Sequence, residues 1–475
     1  MILAQKIAYN VIFNTVAKIA STILALISIG FITRYLGRSG FGDYATVLAF
    51  FSFFSAFFDL GLYSVATREI SRKNANEKRI IGNVFALRLT SSLIVLIVAP
   101  ILIIFLPYSN EVKNGILLIS VAYIMASSYM VLNGVFQKNL RMDKVATTEF
   151  FGKVLQVGFI ILAVKNNWGF TAIISSLLIN MFFAFAVIVF LSRKYVEFRP
   201  IFDIDYWKKF LEMSFPMGAS AIVTFLYFKM DTILLSILKG SEAVGIYNMA
   251  YKILENITFF PAMIIGLVLP LFSKYIFDDK KQFYRIANKT SKVFFLLVIP
   301  LVVGVMFLAE DIIRIIGGSD FLVSANVLRV LVIALAFIFF GNFFNNILLS
   351  ANLQKILMKI LTVCAVFNIT LNLLLIPRYS YFGAAFISLA TEALVVVLTM
   401  YFSFKLVDYK VSIKGWGRMI LSGLVMAVFL FVMQDKGFFF LVFGSVFMYM
   451  IFLWITKAIS IDELKIILPS KNIKN

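Results

Sequence analysis

From end to end this 475-residue chain is a succession of long apolar runs separated by short polar breaks. About 20 apolar residues at 1.5 Å each cross a hydrocarbon layer of about 30 Å, and within that layer backbone N–H and C=O groups must be satisfied inside the segment. The runs are therefore read as membrane-spanning helices, about fourteen of them, starting near residues 8, 43, 80, 114, 145, 170, 213, 245, 289, 324, 356, 383, 415 and 438. Length alone would suggest about three soluble domains, but 61% hydrophobic against 14% charged residues excludes that. The first run is too long for a removable signal peptide, carries Lys18 at its centre and lacks a small-residue cleavage site.

A formal net charge of +20 raises the question of nucleic acid, and the placement of the charge answers it. Lys and Arg crowd into alternate loops: around Arg72, around Arg141, from Arg193 to Lys209, from Lys274 to Lys292, and from Lys405 to Arg418. The intervening loops hold one or two each, such as Lys113, Lys165, Lys239, Arg378 and Lys436. By the positive-inside rule, roughly thirty basic residues on one side against about eight on the other make the rich side cytoplasmic. Both termini of this multi-pass cell-membrane protein are then expected on the cytoplasmic side, and no nucleic-acid partner is expected. The single cysteine, Cys364, sits in an apolar run, and no histidine occurs anywhere. Neither a disulfide, a metal site nor a histidine-based catalytic centre is expected, and no cofactor.

A glycine-rich turn organises the order of the runs. Gly37-x4-Gly42-x-Tyr44 returns as Gly240-x4-Gly245-x-Tyr247, 203 positions later, again between two spanning runs. Val98-Ala99-Pro100 matches Val298-Ile299-Pro300 at an offset of 200, and Asn139-Leu140 and Trp168-Gly169 match Asn352-Leu353 and Phe382-Gly383 at 213 and 214. Three anchors in order at nearly one spacing indicate an internal repeat of six helices. Six is even, so both copies enter the membrane in the same orientation. The fold class expected is an all-α polytopic membrane protein with two parallel six-helix repeats plus two extra C-terminal helices. Residues 1–197 form the first lobe, 198–212 a cytoplasmic linker, 213–410 the second lobe, and 411–475 the extra pair and a short polar tail. Gly37, Gly42, Tyr44, Gly240, Gly245 and Tyr247 are expected to gate the outer side.

Charges inside spanning runs each cost about 2.5–3.5 kcal/mol on insertion scales, so they point to wet surfaces, partners or substrate. Lys18 lies on a stripe with Asn10, Asn14, Ser21 and Ser28, which at 100° per residue share an arc of roughly 80°. Arg88 has Ser91 and Ser92 on its face and no acid on its own helix within reach. Lys153 follows Glu149 at i+4, and Lys252 precedes Glu255 at i+3, spacings that equally suit structural pairs. Lys229 lies close enough to the outer surface to snorkel, and Asp231 is placed to pair with another helix. Asn10, Asn14, Ser21, Ser28, Asp231 and Lys252 are the expected cavity lining. Pro100, Pro216, Pro261 and Pro300 permit bends, and the run from Phe50 to Phe58 reads as lipid-facing bulk.

Arg34-Tyr-Leu-Gly37 leading into Phe41-Gly42-Asp-Tyr44-Ala, then Phe58-Asp-Leu-Gly-Leu62 and Ala66-Thr-Arg68-Glu69, resembles the opening of the Wzx-like polysaccharide flippases. These belong to the multidrug, oligosaccharidyl-lipid and polysaccharide exporter superfamily. Phe215-Pro216, Met230-Asp231-Thr-Ile-Leu-Leu235 and Val244-Gly-Ile-Tyr247-Asn-Met-Ala-Tyr-Lys252 continue the likeness, which covers nearly the whole chain. The resemblance implies transport of prenyl-pyrophosphate-linked oligosaccharide to the outer leaflet through a cavity lined by basic residues. Membrane lipids surround it, and glycan polymerases or glycosyltransferases are candidate partners. A cationic stripe suits a pyrophosphate on its own terms, which makes Lys18, Arg88 and Lys153 the expected phosphate ligands. Two alternatives stand beside this one. A cation antiporter of the same superfamily would use a first-lobe carboxylate such as Asp59 or Glu149. A membrane glycosyltransferase or ligase would need an outer catalytic loop, for which the stretch Glu310 to Phe321 is the largest candidate and a poor one.

Overall fold

The computed structural model describes residues 3–458, with side chains from residue 13 onward, and all regular structure among them is helical. The side chain of Asn10 and nearly all of the polar tail thus lie outside the described residues. The elements are α1 (Leu3–Asp59), α2 (Leu62–Ile70), α3 (Glu77–Ile104), α4 (Asn110–Lys138), α5 (Met142–Lys165), α6 (Gly169–Ser192), α7 (Ile204–Phe228), α8 (Met230–Lys239), α9 (Ser241–Ile257), α10 (Phe259–Asp278), α11 (Lys280–Gly317), α12 (Ser324–Ser350), α13 (Gln354–Val407), α14 (Trp416–Val432) and α15 (Phe438–Ile455).

Among the described residues, eleven stretches are long and apolar enough to cross a membrane. Two are double: α1 breaks at Gly37 (φ 65°, ψ −170°) and α13 at Ser380 (φ 51°, ψ −134°). With these breaks and the 17-residue apolar α14, the crossings come to the fourteen expected. Starts are set by local chemistry. Side-chain oxygens of Asn76, Ser109, Asp203 and Asp279 accept from the N–H three residues on, satisfying donors that the first turns of α3, α4, α7 and α11 leave free.

The chain divides into two compact units, one ending at Asn248 and one starting at Met249. In the first, α4 packs on α6 and α3, α5 on α6 and α1, and α7 and α8 lie against α1, with α7 also on α2. One end gathers the breaks after α2, α4 and α6; the other gathers Gly37, the α3–α4 and α5–α6 breaks and Gly240. A core of Leu62, Ile81, Phe85, Leu132, Phe136 and Phe210 joins α2, α3, α4 and α7. The phenylalanine run is not lipid-facing bulk: Phe50 and Phe54 are buried. Phe51 meets Tyr123 edge-on at 5.9 Å, and Phe53 and Phe57 meet Phe225 at 5.7 and 6.0 Å. Helix α1 beyond Gly37 is an inner helix, so its aromatic side chains pack against others.

In the second unit α12 packs along α13 and α11, and the extra pair α14–α15 docks on α11. Gly423 leaves room for Ile299, and Tyr449 donates to the Leu296 carbonyl at 3.0 Å. Away from that contact α14 and α15 present Ile420, Leu424, Val428, Phe443, Phe447 and Trp454 outward, an apolar wall suited to lipid. The stretch from Glu310 to Phe321 is no extended loop: Glu310, Asp311 and Arg314 sit on the last turns of α11, and Glu310 pairs with Arg329 at 3.0 Å.

The repeat is visible in the backbone. Gly240 (φ 77°, ψ −176°) reproduces Gly37, a conformation that costs glycine least. Pro100 lies inside α3 and Pro300 inside α11. The third anchor is shifted by one residue. Leu140 (φ 52°) and Asn352 (φ 60°) occupy the left-handed position after their helices. Closing bonds from Arg141 to Phe136 and from Leu353 to Leu348, at 2.8 and 2.9 Å, match at an offset of 212.

Candidate functional site

On α1 the polar stripe changes environment along its length. Lys18 is exposed, Asn14 and Ser21 are half-buried, and Ser28 is buried with its hydroxyl donating to Leu24 O at 2.9 Å. The exposed apolar residues of the same helix, Val16, Ile19, Ile23, Ile27 and Phe31, lie on the opposite face, on average roughly 150° away at 100° per residue. One side of α1 is therefore greasy and open, while the polar side runs from open at Lys18 to closed at Ser28. Lys18 stands within electrostatic reach of Glu149 on α5. On α5 itself Lys153 donates to Gln156 Oε1 at 3.0 Å, and Asn180 of α6 donates to the same oxygen at 3.2 Å.

Arg88 lies elsewhere in the first unit. It is 1% exposed, paired with Asp59 at the end of α1, and donates to the Ser127 carbonyl at 3.3 Å. No acid on its own helix was within reach; the partner comes from another helix, which helix-face reasoning does not reveal. Asp231 is buried and accepts from Tyr247 at 3.0 Å, tying α8 to α9, beside a Thr232–Asn248 hydrogen bond of 3.3 Å. In the second unit Lys252 pairs with Glu255 at 2.8 Å, and Lys229 of the first unit sits at the break between α7 and α8.

The two repeated turns meet within the first unit. A Cβ on Gly42 would run into the Ser241 carbonyl, and one on Gly245 into the Arg38 carbonyl, so backbone rests on backbone. Ser241 donates to the Asp43 carboxylate, and Arg38 pairs with Glu242 at 3.1 Å. Ser236, shortly before Gly240, shares a hydrogen bond of 2.7 Å with Tyr108, and Tyr44 and Tyr247 are buried. Farther along α1, past the break at Gly37, main chains touch at Gly42 and Gly245 with no space between them.

A second polar group escaped attention because it rests on amides rather than charges. On α13, Asn372 donates to Asn368 at 3.0 Å and Asn368 to Thr391 at 3.3 Å, with Glu392 also buried. The signal was there: Asn368 and Asn372 stand at i and i+4 inside an apolar run.

Comparison with known proteins sets this geometry in context. The family described as polysaccharide biosynthesis protein matches residues 7–276, and one described as MatE matches residues 216–374. A protein of Haloferax volcanii, described as a probable low-salt glycan biosynthesis flippase, is 24% identical over 88% of this chain and 87% of its own. Among solved structures, the lipid II flippase MurJ in an inward closed conformation superposes with a TM-score of 0.77 at 19% identity, covering 95% of this chain and 99% of that one. An inward-facing multidrug resistance MATE family transporter of the MOP superfamily gives 0.64 at 13% identity, over 84% and 98%. The family match over more than half of this chain shows that it belongs to the polysaccharide biosynthesis protein family, and the superpositions show that it shares the fold of these membrane transporters.

Proposed function

We propose that the protein carries a prenyl-pyrophosphate-linked oligosaccharide from the cytoplasmic to the outer leaflet of the cell membrane by alternating access, with both chain ends in the cytoplasm. The observation that carries this reading is the graded stripe on α1, with an exposed Lys18 at one end and the sealed Gly42–Gly245 contact beyond the other. An ammonium and a phosphate about 4 Å apart attract by about 4 kcal/mol at an effective dielectric near 20, before desolvation. Lys18 is the first phosphate ligand in this reading and half-buried Lys153 the second. Arg88, held by Asp59, is the least accessible of the three. The greasy face of α1 leaves a prenyl tail free to stay in lipid while the glycan moves past the polar side. The glycan role named for the Haloferax protein and the lipid II role named for the structural relative support a lipid-linked cargo.

The test is reconstitution in proteoliposomes with a fluorescent lipid-linked oligosaccharide and an impermeant reagent that destroys the outer-leaflet glycan. Protein-dependent loss of the inner-leaflet half of the signal is expected. Equal signals in protein-containing and empty vesicles would end the proposal. The MatE match over residues 216–374 favours a second reading, a cation antiporter. An exposed lysine on the polar stripe speaks against cationic cargo, and uptake of a cationic dye without flipping would reverse that preference. The flippase and transporter names of the relatives speak against the glycosyltransferase and ligase alternative.

A further inference from the structure

The charges around Lys18 leave unexplained a row of neutral polar side chains on α4. Tyr129, Asn133 and Gln137 recur every fourth residue toward the end of that helix. At 100° per residue they share an arc of roughly 80° and stand about 6 Å apart along the axis. Each is held differently. Gln137 is exposed, and its Oε1 accepts from the Tyr63 hydroxyl of α2 at 2.7 Å. Tyr129 is buried, with its hydroxyl turned to the Met181 sulfur of α6 at 3.9 Å. Asn133, between them, is half-buried, and its Oδ1 is buried with no hydrogen-bond partner among the described residues. An amide whose carbonyl is tied to nothing can turn about its terminal torsion and offer either a donor or an acceptor.

The internal repeat argues against an accident of packing. On the register of 212 that aligns the closing bonds of α4 and α12, Asn133 falls on Asn345. The Asn345 Oδ1 is likewise buried with no partner among the described residues. A buried acceptor left unmade costs stability, yet both halves of the chain keep one at the same step. Their surroundings have meanwhile diverged, Leu132-Asn-Gly134 standing against Phe344-Asn-Asn346. A costly group kept while its neighbours change is one that packing does not account for.

The row on α4 borders the same space as the first phosphate ligand. Glu149 of α5 is exposed and stands within electrostatic reach of Tyr63 and Tyr129 as well as of Lys18. A carboxylate at membrane depth costs too much to face lipid, so this space is wet. The chemistry of the row selects what it can hold. Its three side chains include no cation for a phosphate and no unbroken apolar surface for a prenyl tail. Amide and phenol groups offer donors and acceptors together, the complement of a sugar hydroxyl. We infer that Asn133 and Gln137, with Tyr63 beside them, bind hydroxyls of the glycan adjoining the pyrophosphate at Lys18. They thereby select glycan-bearing lipid over the bare carrier. This inference rests on the flippase reading and adds to it the part of the first unit that recognises the sugar.

The experiment titrates the full-length protein in phosphatidylcholine nanodiscs with two probes: the lipid-linked oligosaccharide extracted from the source cells, and polyprenyl pyrophosphate without sugar. Wild type is expected to bind the first at least about tenfold more tightly, because polar groups placed for a hydroxyl discriminate against a ligand lacking it. Gln137→Leu and Asn133→Leu should each bring the two affinities within about threefold. Asn133→Leu should also melt no lower than wild type, since an unpartnered buried oxygen leaves with the amide. Gln137 is exposed, so Gln137→Leu keeps the test standing if the other variant fails to fold. Lys18→Ala should weaken both probes together. Equal affinity of wild type for the two probes, or undiminished preference in both leucine variants, overturns the sugar assignment and leaves the flippase reading intact. Wild type that binds neither probe overturns both.

Discussion

Two cations at membrane depth in the first unit are kept in opposite ways. A charge there persists only when water, a partner or a ligand offsets its desolvation. Lys18 is exposed on a polar stripe, whereas Arg88 is buried against Asp59. Their substitutions should therefore fail differently. Lys18→Ala is expected to lose lipid-linked oligosaccharide transport at least about tenfold with normal membrane abundance. Lys18→Arg should retain much of it and Lys18→Glu should be the worst. Wild-type flipping by Lys18→Ala would make Lys18 a structural partner of Glu149 instead. Asp59→Asn, by contrast, leaves a buried guanidinium uncompensated, at a cost of about 3–5 kcal/mol. It should lower the thermal midpoint in detergent, and Asp59→Asn/Arg88→Leu should recover most of the loss, because the charge leaves with its partner. An unchanged midpoint for Asp59→Asn would show that the pair holds nothing together.

Four of the described helices begin where a side chain catches a free N–H, and one such start carries a pH dependence. Asp203 accepts from the Tyr206 N–H and pairs with Arg79 at 3.0 Å across from the first turn of α3. The Tyr206 N–H, and after it Arg79, hold its carboxyl below the usual value of about 3.8. A lowered carboxylate contributes stability above its unfolded pKa and loses it as pH falls through the folded one. Asp203→Ala should thus unfold earlier than wild type at pH 7, with the gap narrowing below about pH 3.8; a constant gap in calorimetry would remove the ionic part of the account. What the sequence makes legible at this scale follows from what each signal depends on. Fourteen crossings are readable because spanning length and apolarity are local properties. The Gly37 and Gly240 turns are readable because a left-handed backbone selects glycine. The third repeat anchor slips from 213 to 212 because the same left-handed position is filled once by Leu140 and once by Asn352, so residue identity misaligns it. Asp59 as the partner of Arg88, and the packing of Phe50 to Phe57, depend on which helices are neighbours. Periodicity along one helix does not report that.

Across the whole molecule the sorting of basic residues leads to a topology that thiol chemistry can read. In a Cys364→Ser background, cysteines at Arg72 and Lys208 should resist an impermeant reagent in intact cells, and one at Lys165 should react. Labelling at position 72 would invert the orientation. Alternating access further requires that the turns at Gly37 and Gly240 separate during transport. Spin labels at the exposed Ser39 and Lys239 should give a short distance that lengthens in part of the population with substrate. Gly42→Val, which forces the Ser241 carbonyl away, should produce the longer distance without substrate. A single distance under all these conditions would require another route across the membrane. The seam between these turns has a further consequence for the cell that carries the protein. Where a methyl group has no room a water molecule has none either, so the contact made of Gly42 and Gly245 main chain leaves no path for water between α1 and α9 at that point. In the transport cycle proposed above, one side could then open to water and cargo without short-circuiting the proton gradient of the membrane.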